Sequence, residues 1–461
     1  MRAARIPLLL LALAACRADG GPPPNVLLVV LDTTRADAVS FGDPSAPAAL
    51  GRLVDDGVVF TNARSTSAWT VPAHGSLFTG LYPSRHGAHH ESPRLAPERT
   101  TLAELLEPTH ETAAFSENPH IGPGKGFDQG FGLFEDSWRL RRGRGPRRPT
   151  VQHVDRWLRG RQRERPFFLF VNLMDPHLPY QPPREWARRF VPPDVDPAQL
   201  RRMRATAGAE SRRYIAGDLA LSPDDLRLLR ALYRGEVAFA EARLSRLLET
   251  LEEEGLLERT LVAVVGDHGE NIGEHGLMQH QLSLHETLLR VPLLMRLPGR
   301  LDGGERRADP VQLVDVFATI LDAAGVPPER WPAIEGQSLL SGRLPPQRPL
   351  IAEYMRPLGQ RRLFARTLPD FDFEPFDRRL ASIQVGGLKL IRSDRGERWL
   401  YDLGRDPGEA QDLAATRPGD VARLSAELDR WLASRPAAAA GAPAELDEET
   451  LRALRELGYG S

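Results

Sequence analysis

Three stretches of the chain are apolar almost without interruption and then stop at polar, potentially ligating residues. Val26 to Leu31 runs into Asp32, Phe167 to Leu173 runs into Met174, Asp175, Pro176 and His177, and Leu261 to Val265 runs through Gly266 into Asp267 and His268. Continuous apolar runs of this length mark parallel strands buried on both faces; strands with one wet face alternate instead. Helical patterns lie between them. Ala46 to Asp56 reads as a helix closed by Gly57, followed by a strand over Val58 to Phe60. Thr101 with Glu104 forms a capping-box start for a helix through Leu106, and a strand follows over Thr112 to Phe115. Val151, Val154, Trp157 and Leu158 share one helical face. The clearest helix opens at Ser222 as N-cap with Pro223, Asp224 and Asp225 in its first turn, stops at Gly255, and carries a core stripe of Leu226, Leu229, Tyr233, Val237, Leu244, Leu247 and Leu251. Val291 to Arg296 resumes a strand and Pro310 to Ala324 a helix. This alternation predicts an α/β fold with a large, mostly parallel sheet sandwiched by helices.

Beyond about Pro345 the texture changes. Ala381 to Val385, Leu388 to Ile391 and Trp399 to Leu403 read as short antiparallel strands with turns at Gly386-Gly387 and Asp394 to Gly396, and Val421 to Leu432 as a helix over one face. The chain therefore divides into a large α/β domain over 25–345 and a small C-terminal α+β subdomain over 346–435. An Ala/Pro linker at Pro436 to Pro443 and a terminal helix at Glu448 to Leu457 complete it.

Composition changes the picture at three places. With 461 residues, 41% of them apolar, and a formal net charge of -2, the chain can bury a large core and presents no global field for nucleic acid. Arg2 and Arg5 precede an apolar run from Ile6 to Ala15 that is too short to span a bilayer, the layout of an export signal. The single cysteine, Cys16, ends LALAAC, which resembles the lipobox of bacterial lipoproteins; it predicts an envelope protein lipid-anchored to a membrane through Cys16, with Gly20 to Pro24 as tether. Arg139 to Arg148 holds six arginines and reads as a solvated loop, or as a guide for an anionic substrate or headgroup.

The chemistry gathers around one more stretch, Trp69 to Gly80, WTVPAHGSLFTG. Pro72 suits a first helical turn and Gly80 a left-handed end, which puts Thr70 just ahead of a helix whose free N–H groups and dipole favour an anion. A plainer role for Thr70 is N-cap. A threonine hydroxyl attacks only when a metal or base activates it, so the reading requires ligands elsewhere. They are present: in open α/β sheets ligands bind at the carboxyl edge of the strands, where Asp32, Asp175 with His177, and Asp267 with His268 would converge. Aspartates and a histidine suit a divalent metal.

These residues sit in motifs that resemble the sulfatase branch of the alkaline phosphatase superfamily. VLLVVLDTTRAD, the Thr70 motif, DPHLPY, GDHGENIGEHG, HETLLRVPLLMRLPG and LKLIRSDRGERWLYDLGRDPGEAQDL are similar to that family in the same order, from about Asn25 to Leu432. The resemblance implies an alkaline phosphatase-like fold, with Asp32, Asp267 and His268 as ligands of one divalent metal (Ca, Mg, Mn or Zn) and Thr70 as the nucleophile that also touches it. It implies that His177 and His280 bind the ester anion or protonate the leaving oxygen, with His275 and His285 as rivals to His280 and a second metal possible near His177 and His280. Three positions depart from the family. Ordinary sulfatases carry Cys or Ser, converted to formylglycine, where this chain has Thr70, an arginine where it has His74, and often a second aspartate where it has Thr33. Threonine cannot form that aldehyde and instead resembles the phosphoryl-transfer relatives. The implied function is a metal-dependent hydrolase of sulfate, phosphate or phosphonate esters acting through Thr70, with His74 also in the site. Alternatives are a phosphoryl headgroup transferase of the same superfamily, or an envelope lipoprotein that binds a glycan or lipid anion without turnover. The expected partner is a small-molecule, glycan or lipid ester anion, and oligomeric state is not legible.

Overall fold

The computed structural model describes residues 22–140, 149–206, 208–434 and 446–456. The export signal and Cys16, most of the arginine-rich segment and the Ala/Pro linker lie outside the described residues. No described helix is long and apolar enough to cross a membrane.

Eight strands build the central sheet. In chain order they are β1 (Asn25–Leu31), β2 (Val58–Phe60), β3 (Glu111–Ser116), β4 (Leu133–Asp136), β5 (Phe167–Leu173), β6 (Thr260–Gly266), β7 (Leu293–Arg296) and β8 (Glu305–Arg307). They lie in the order β8-β2-β7-β6-β1-β5-β3-β4. β1 sits in the middle, parallel to β5 and β6, and only β7 runs against its neighbours. The three apolar runs of the sequence are thus adjacent strands, every residue of which is buried. The reason is the layering. Val26, Leu28 and Val30 face one core with Val71, Leu77 and Phe78 and the helix Leu313–Ala324, whereas Leu27, Val29 and Leu31 face the other with Leu50, Val154 and Leu244. A strand covered on both faces stays apolar through its centre and carries polar side chains only near its ends, as at Asn25 of β1 and Asn172 of β5.

The small sheet contains β9 (Leu350–Tyr354), β10 (Leu380–Val385), β11 (Leu388–Ser393) and β12 (Arg398–Asp402), antiparallel throughout, with the helix Pro418–Ala433 packed on one face. The long helix is Pro223–Glu253, opened by the capping box of Ser222 and Asp225. Its stripe divides: Leu229, Tyr233 and Val237 enter a local cluster with Tyr180 and Ile272, while Leu244, Leu247 and Leu251 pack on the sheet. Two expectations need correction. The helix spans Ala48–Asp55 rather than starting at Ala46, and Gly57 follows its C-cap Asp56; a Cβ on Gly57 would lie 2.7 Å from Leu53 O and 2.8 Å from Met295 O, so close approach requires this glycine. The segment Pro310 to Ala324 is helical only from Leu313, after a short strand over Val311–Gln312.

Candidate active site

Thr70 opens the helix Thr70–Thr79 rather than preceding it. Trp69 is the N-cap, in extended backbone and without a side-chain cap bond, and Gly80 closes the helix at φ 67° as the sequence suggests. Thr70 therefore does not act as an N-cap. Its Oγ1 lies 3.1 Å from His268 Nε2, at the carboxyl edge of β6. His268 Nδ1 donates to Gly269 O at 2.9 Å, which leaves the Nε2 lone pair facing the threonine hydroxyl.

Asp32, Asp267 and His268 gather here, each offering a ligating atom within 4.8 Å of the others. Asp32 follows β1 and Asp267 follows β6, so the pairing of these two strands sets their spacing. Oδ2 of Asp32 accepts from Asn118 Nδ2 (2.7 Å) and Asn172 Nδ2 (3.2 Å), and its Oδ1 from the Thr33 hydroxyl (2.8 Å). Oδ1 of Asp267 accepts from the backbone N–H groups of Thr33 and His268, both at 2.9 Å. Oδ2 of Asp267 is buried and has no hydrogen-bond partner among the described residues. Burial and the adjacent Asp32 push the Asp267 carboxyl well above its ordinary range. Burial works in the same direction on Asp32, but His268, His177, His74 and the Asn118 hydrogen bond hold it below its usual value. Two enclosed carboxyls, one deprived of a donor, are a donor set that fits a divalent cation. Asp32, Asp267 and His268 would hold it, with the Thr70 hydroxyl alongside.

The histidines separate clearly. His268 and His280 have ring centroids 4.5 Å apart, and His280 and His177 5.0 Å, so both predicted imidazoles flank the cluster. His275 and His285 stack on each other at 3.7 Å, and His285 lies edge-on to Tyr401 of the small sheet. His74 is enclosed beneath Thr70. Its Nδ1 donates to Thr70 O at 3.0 Å and its Nε2 accepts from Asn172 Nδ2 at 3.2 Å, and burial lowers it to about 4, so it is a neutral spacer that fixes the helix start. Asp175, expected at the crevice, is taken up in an ion pair: its carboxylate meets Arg243 Nη1 at 2.6 Å, and Arg243 also pairs with Glu117. A strand-end carboxylate has the same sequence context whether a cation or an arginine waits for it.

The structure adds four residues the sequence reading missed. Asn118 and Asn172 grip Asp32, and Lys125 donates to His120 Nδ1 at 2.5 Å, with His120 edge-on to Trp69 at 5.3 Å. A cavity of about 780 Å³ lined by Trp331, Arg300 and Arg343 contains none of these residues.

A sulfatase family model matches residues 24–326, well over half of the chain, and a model described as N-sulphoglucosamine sulphohydrolase, C-terminal, matches residues 273–435. The chain belongs to the sulfatase family. It is 24% identical over 492 residues to an ulvan-active sulfatase of Formosa agariphila, covering 95% of this chain and 78% of the relative. To the multifunctional alkaline phosphatase superfamily protein PehA of Trinickia caryophylli it is 26% identical over 397 residues, covering 68% and 76%. Its fold superposes on the phosphonate monoester hydrolase of Agrobacterium radiobacter with a TM-score of 0.69 at 22% identity, covering 88% of this chain and 95% of that one. This sulfatase-family chain is accordingly an ester hydrolase with a candidate Asp/Asp/His metal site.

Proposed function

We propose that the protein hydrolyses sulfate, phosphate or phosphonate esters with Thr70 as the nucleophile. The observation that carries the reading is the 3.1 Å contact of Thr70 Oγ1 with His268 Nε2 at the start of a helix, inside a cluster with one unpaired carboxylate oxygen. Thr70 Oγ1, its proton released to water, attacks sulfur or phosphorus in line, its bond to that centre forming as the ester oxygen departs. The N–H groups of the helix start face the anionic oxygens. His177 donates Nδ1–H to Leu178 O at 2.7 Å and His280 Nδ1 lies 3.3 Å from Glu270 Oε1, contacts that orient both rings beside the cluster, where they meet the anion or the departing oxygen. Water then attacks the same centre and returns the threonine hydroxyl. A divalent cation held by Asp32, Asp267 and His268 supplies, when bound, charge that acidifies the Thr70 hydroxyl and offsets charge on the transferring oxygens.

Threonine in place of a residue convertible to formylglycine favours phosphodiesters and phosphonates over sulfates. The similarity to a phosphonate monoester hydrolase is in keeping with that preference, and the similarity to an ulvan-active sulfatase keeps sulfated glycans in the panel. The test is turnover of aryl sulfate, aryl phosphate monoester and diester, and aryl phosphonate, each with Thr70→Ala. Loss of roughly 10⁴-fold in kcat is expected in the variant, with the phosphonate or diester fastest in the parent. Undiminished turnover by Thr70→Ala would remove the nucleophile; faster sulfate turnover that the substitution abolishes would reverse the preference.

A further inference from the structure

Five non-glycine residues among those described have positive φ, and Thr33 (φ 58°) is the β-branched one. A β-branched side chain is strained in the left-handed region, and such strain persists only where the surroundings enforce it. Here it serves the site. With this turn, the Thr33 N–H reaches Asp267 Oδ1 and the Thr33 hydroxyl reaches Asp32 Oδ1, so one residue spaces both carboxylates. The restraint comes from 200 residues further along the chain. The Tyr233 hydroxyl donates to Thr33 O at 2.9 Å and accepts from Arg35 N–H at 2.9 Å, bridging the turn from the long helix. Tyr233 is itself enclosed, with its ring edge-on to Tyr180 at 5.4 Å, and burial raises its phenol so that it stays a donor.

We propose that Tyr233 is a positioning residue that clamps the strained Thr33 turn and thereby sets the Asp32–Asp267 spacing for a divalent cation. The inference rests on the cation reading above and touches no reacting atom itself.

The full-length protein, stripped with chelator, is titrated with Mn²⁺ by calorimetry. Failure of the parent protein to bind Mn²⁺ would refute the cation reading, whatever Tyr233 does. Given binding by the parent, Tyr233→Phe keeps the ring and removes the bridge, and Mn²⁺ affinity is expected to fall about 10- to 100-fold, the usual cost of losing a group that orients a ligand. Val237→Ala, one turn on in the same cluster, loosens packing without touching the turn and is expected to bind as the parent does. Parent-like affinity in Tyr233→Phe, or an equal loss in Val237→Ala, overturns the proposal. A second arm tests the strain. Glycine adopts the left-handed conformation freely, so Tyr233→Phe is expected to cost less affinity in a Thr33→Gly background than in the parent; an undiminished loss overturns the clamp.

Discussion

Two of the buried clusters of charge are built on opposite principles. At the seam between the large sheet and the small one, Lys389 of β11 lies 3.0 Å from Glu286 and 2.8 Å from Glu409, and Arg64 lies 2.7 Å from the other oxygen of Glu286. Two cations face two acids, and the set closes on itself. At the carboxyl edge of the sheet, Asp32 and Asp267 share a pocket with histidines that burial holds neutral: His74 and His268 are both lowered to about 4. No lysine or arginine pairs with either carboxylate among the salt bridges of the described residues. A buried ion set that supplies its own counterions is a joint. One that lacks them is waiting for a charge from outside, and perturbed groups of that kind collect at functional sites.

Exchanging one residue in each cluster breaks this comparison most severely if it is wrong. Asp267→Asn removes the carboxylate whose second oxygen has no partner; Mn²⁺ affinity and ester turnover are expected to fall by more than about 100-fold, while the metal-free protein resists urea at least as well as the parent. The sign follows from the raised carboxyl: in the metal-free fold its ionised form is disfavoured, so the penalty present at neutral pH disappears with the charge. Lys389→Met should do the reverse, leaving Mn²⁺ affinity intact and costing about 3–5 kcal/mol in urea unfolding, because two acids lose a buried partner. If Lys389→Met abolishes metal binding, or Asp267→Asn unfolds the protein, the distinction between joint and site fails.

This difference also explains what the sequence could disclose. The strands that carry Asp32 and Asp267 were legible because burial on both faces forbids polar residues until the chain reaches the sheet edge. The family motifs and the capping boxes of Thr101 and Ser222 were legible because each is a local pattern with a local cause. Asp175 was misplaced because its partner, Arg243, comes 68 residues later from the long helix. Lys125 and His120 were missed because HIGPGKG lies in a glycine- and proline-rich loop with no periodicity to mark a buried side chain. β9 was missed because Leu350–Tyr354 is a short run after a proline, and pairing with β10 makes it a strand. His280, His275 and His285 lie in one segment, so only the fold shows that His280 packs on His268 while the other two stack on each other.

The joint should also announce itself in acid. Burial raises Glu286, but Arg64 and Lys389 more than offset it and bring its carboxyl from 4.5 to about 2, while Glu409 is pushed upward by burial. Of the two acids, Glu286 is the one whose carboxyl the cations hold down. A carboxyl depressed in the fold contributes stability that is complete above its unfolded value and is lost as pH falls through the folded one. Unfolding free energy is expected to drop by about 3 kcal/mol between pH 4.5 and about 2 from this group, followed by urea titration at several pH values. Glu286→Gln should remove that part of the slope; an unaltered slope would mean the cluster does not hold the seam.

The smallest effect falls at the margin of the site, where Lys125 offers a cation to something other than the carboxylates. Burial lowers its ammonium to about 7, and it is held in the short turn Pro123–Lys125 against His120, which borders the residue before Thr70. Its charge is present below about pH 7 and lost above it, the opposite limb from an acid that must ionise. If that charge attracts the ester anion, kcat/KM is expected to decline as pH rises through about 7, with KM carrying the change. Arginine keeps its proton throughout, so Lys125→Arg should flatten the decline, whereas Lys125→Met should lower kcat/KM about tenfold at pH 6 and little at pH 9, the worth of one anion-directed hydrogen bond. An alkaline decline that persists unchanged in Lys125→Arg would assign the titration to another group. The unbalanced cluster would then have to recognise its substrate without this lysine.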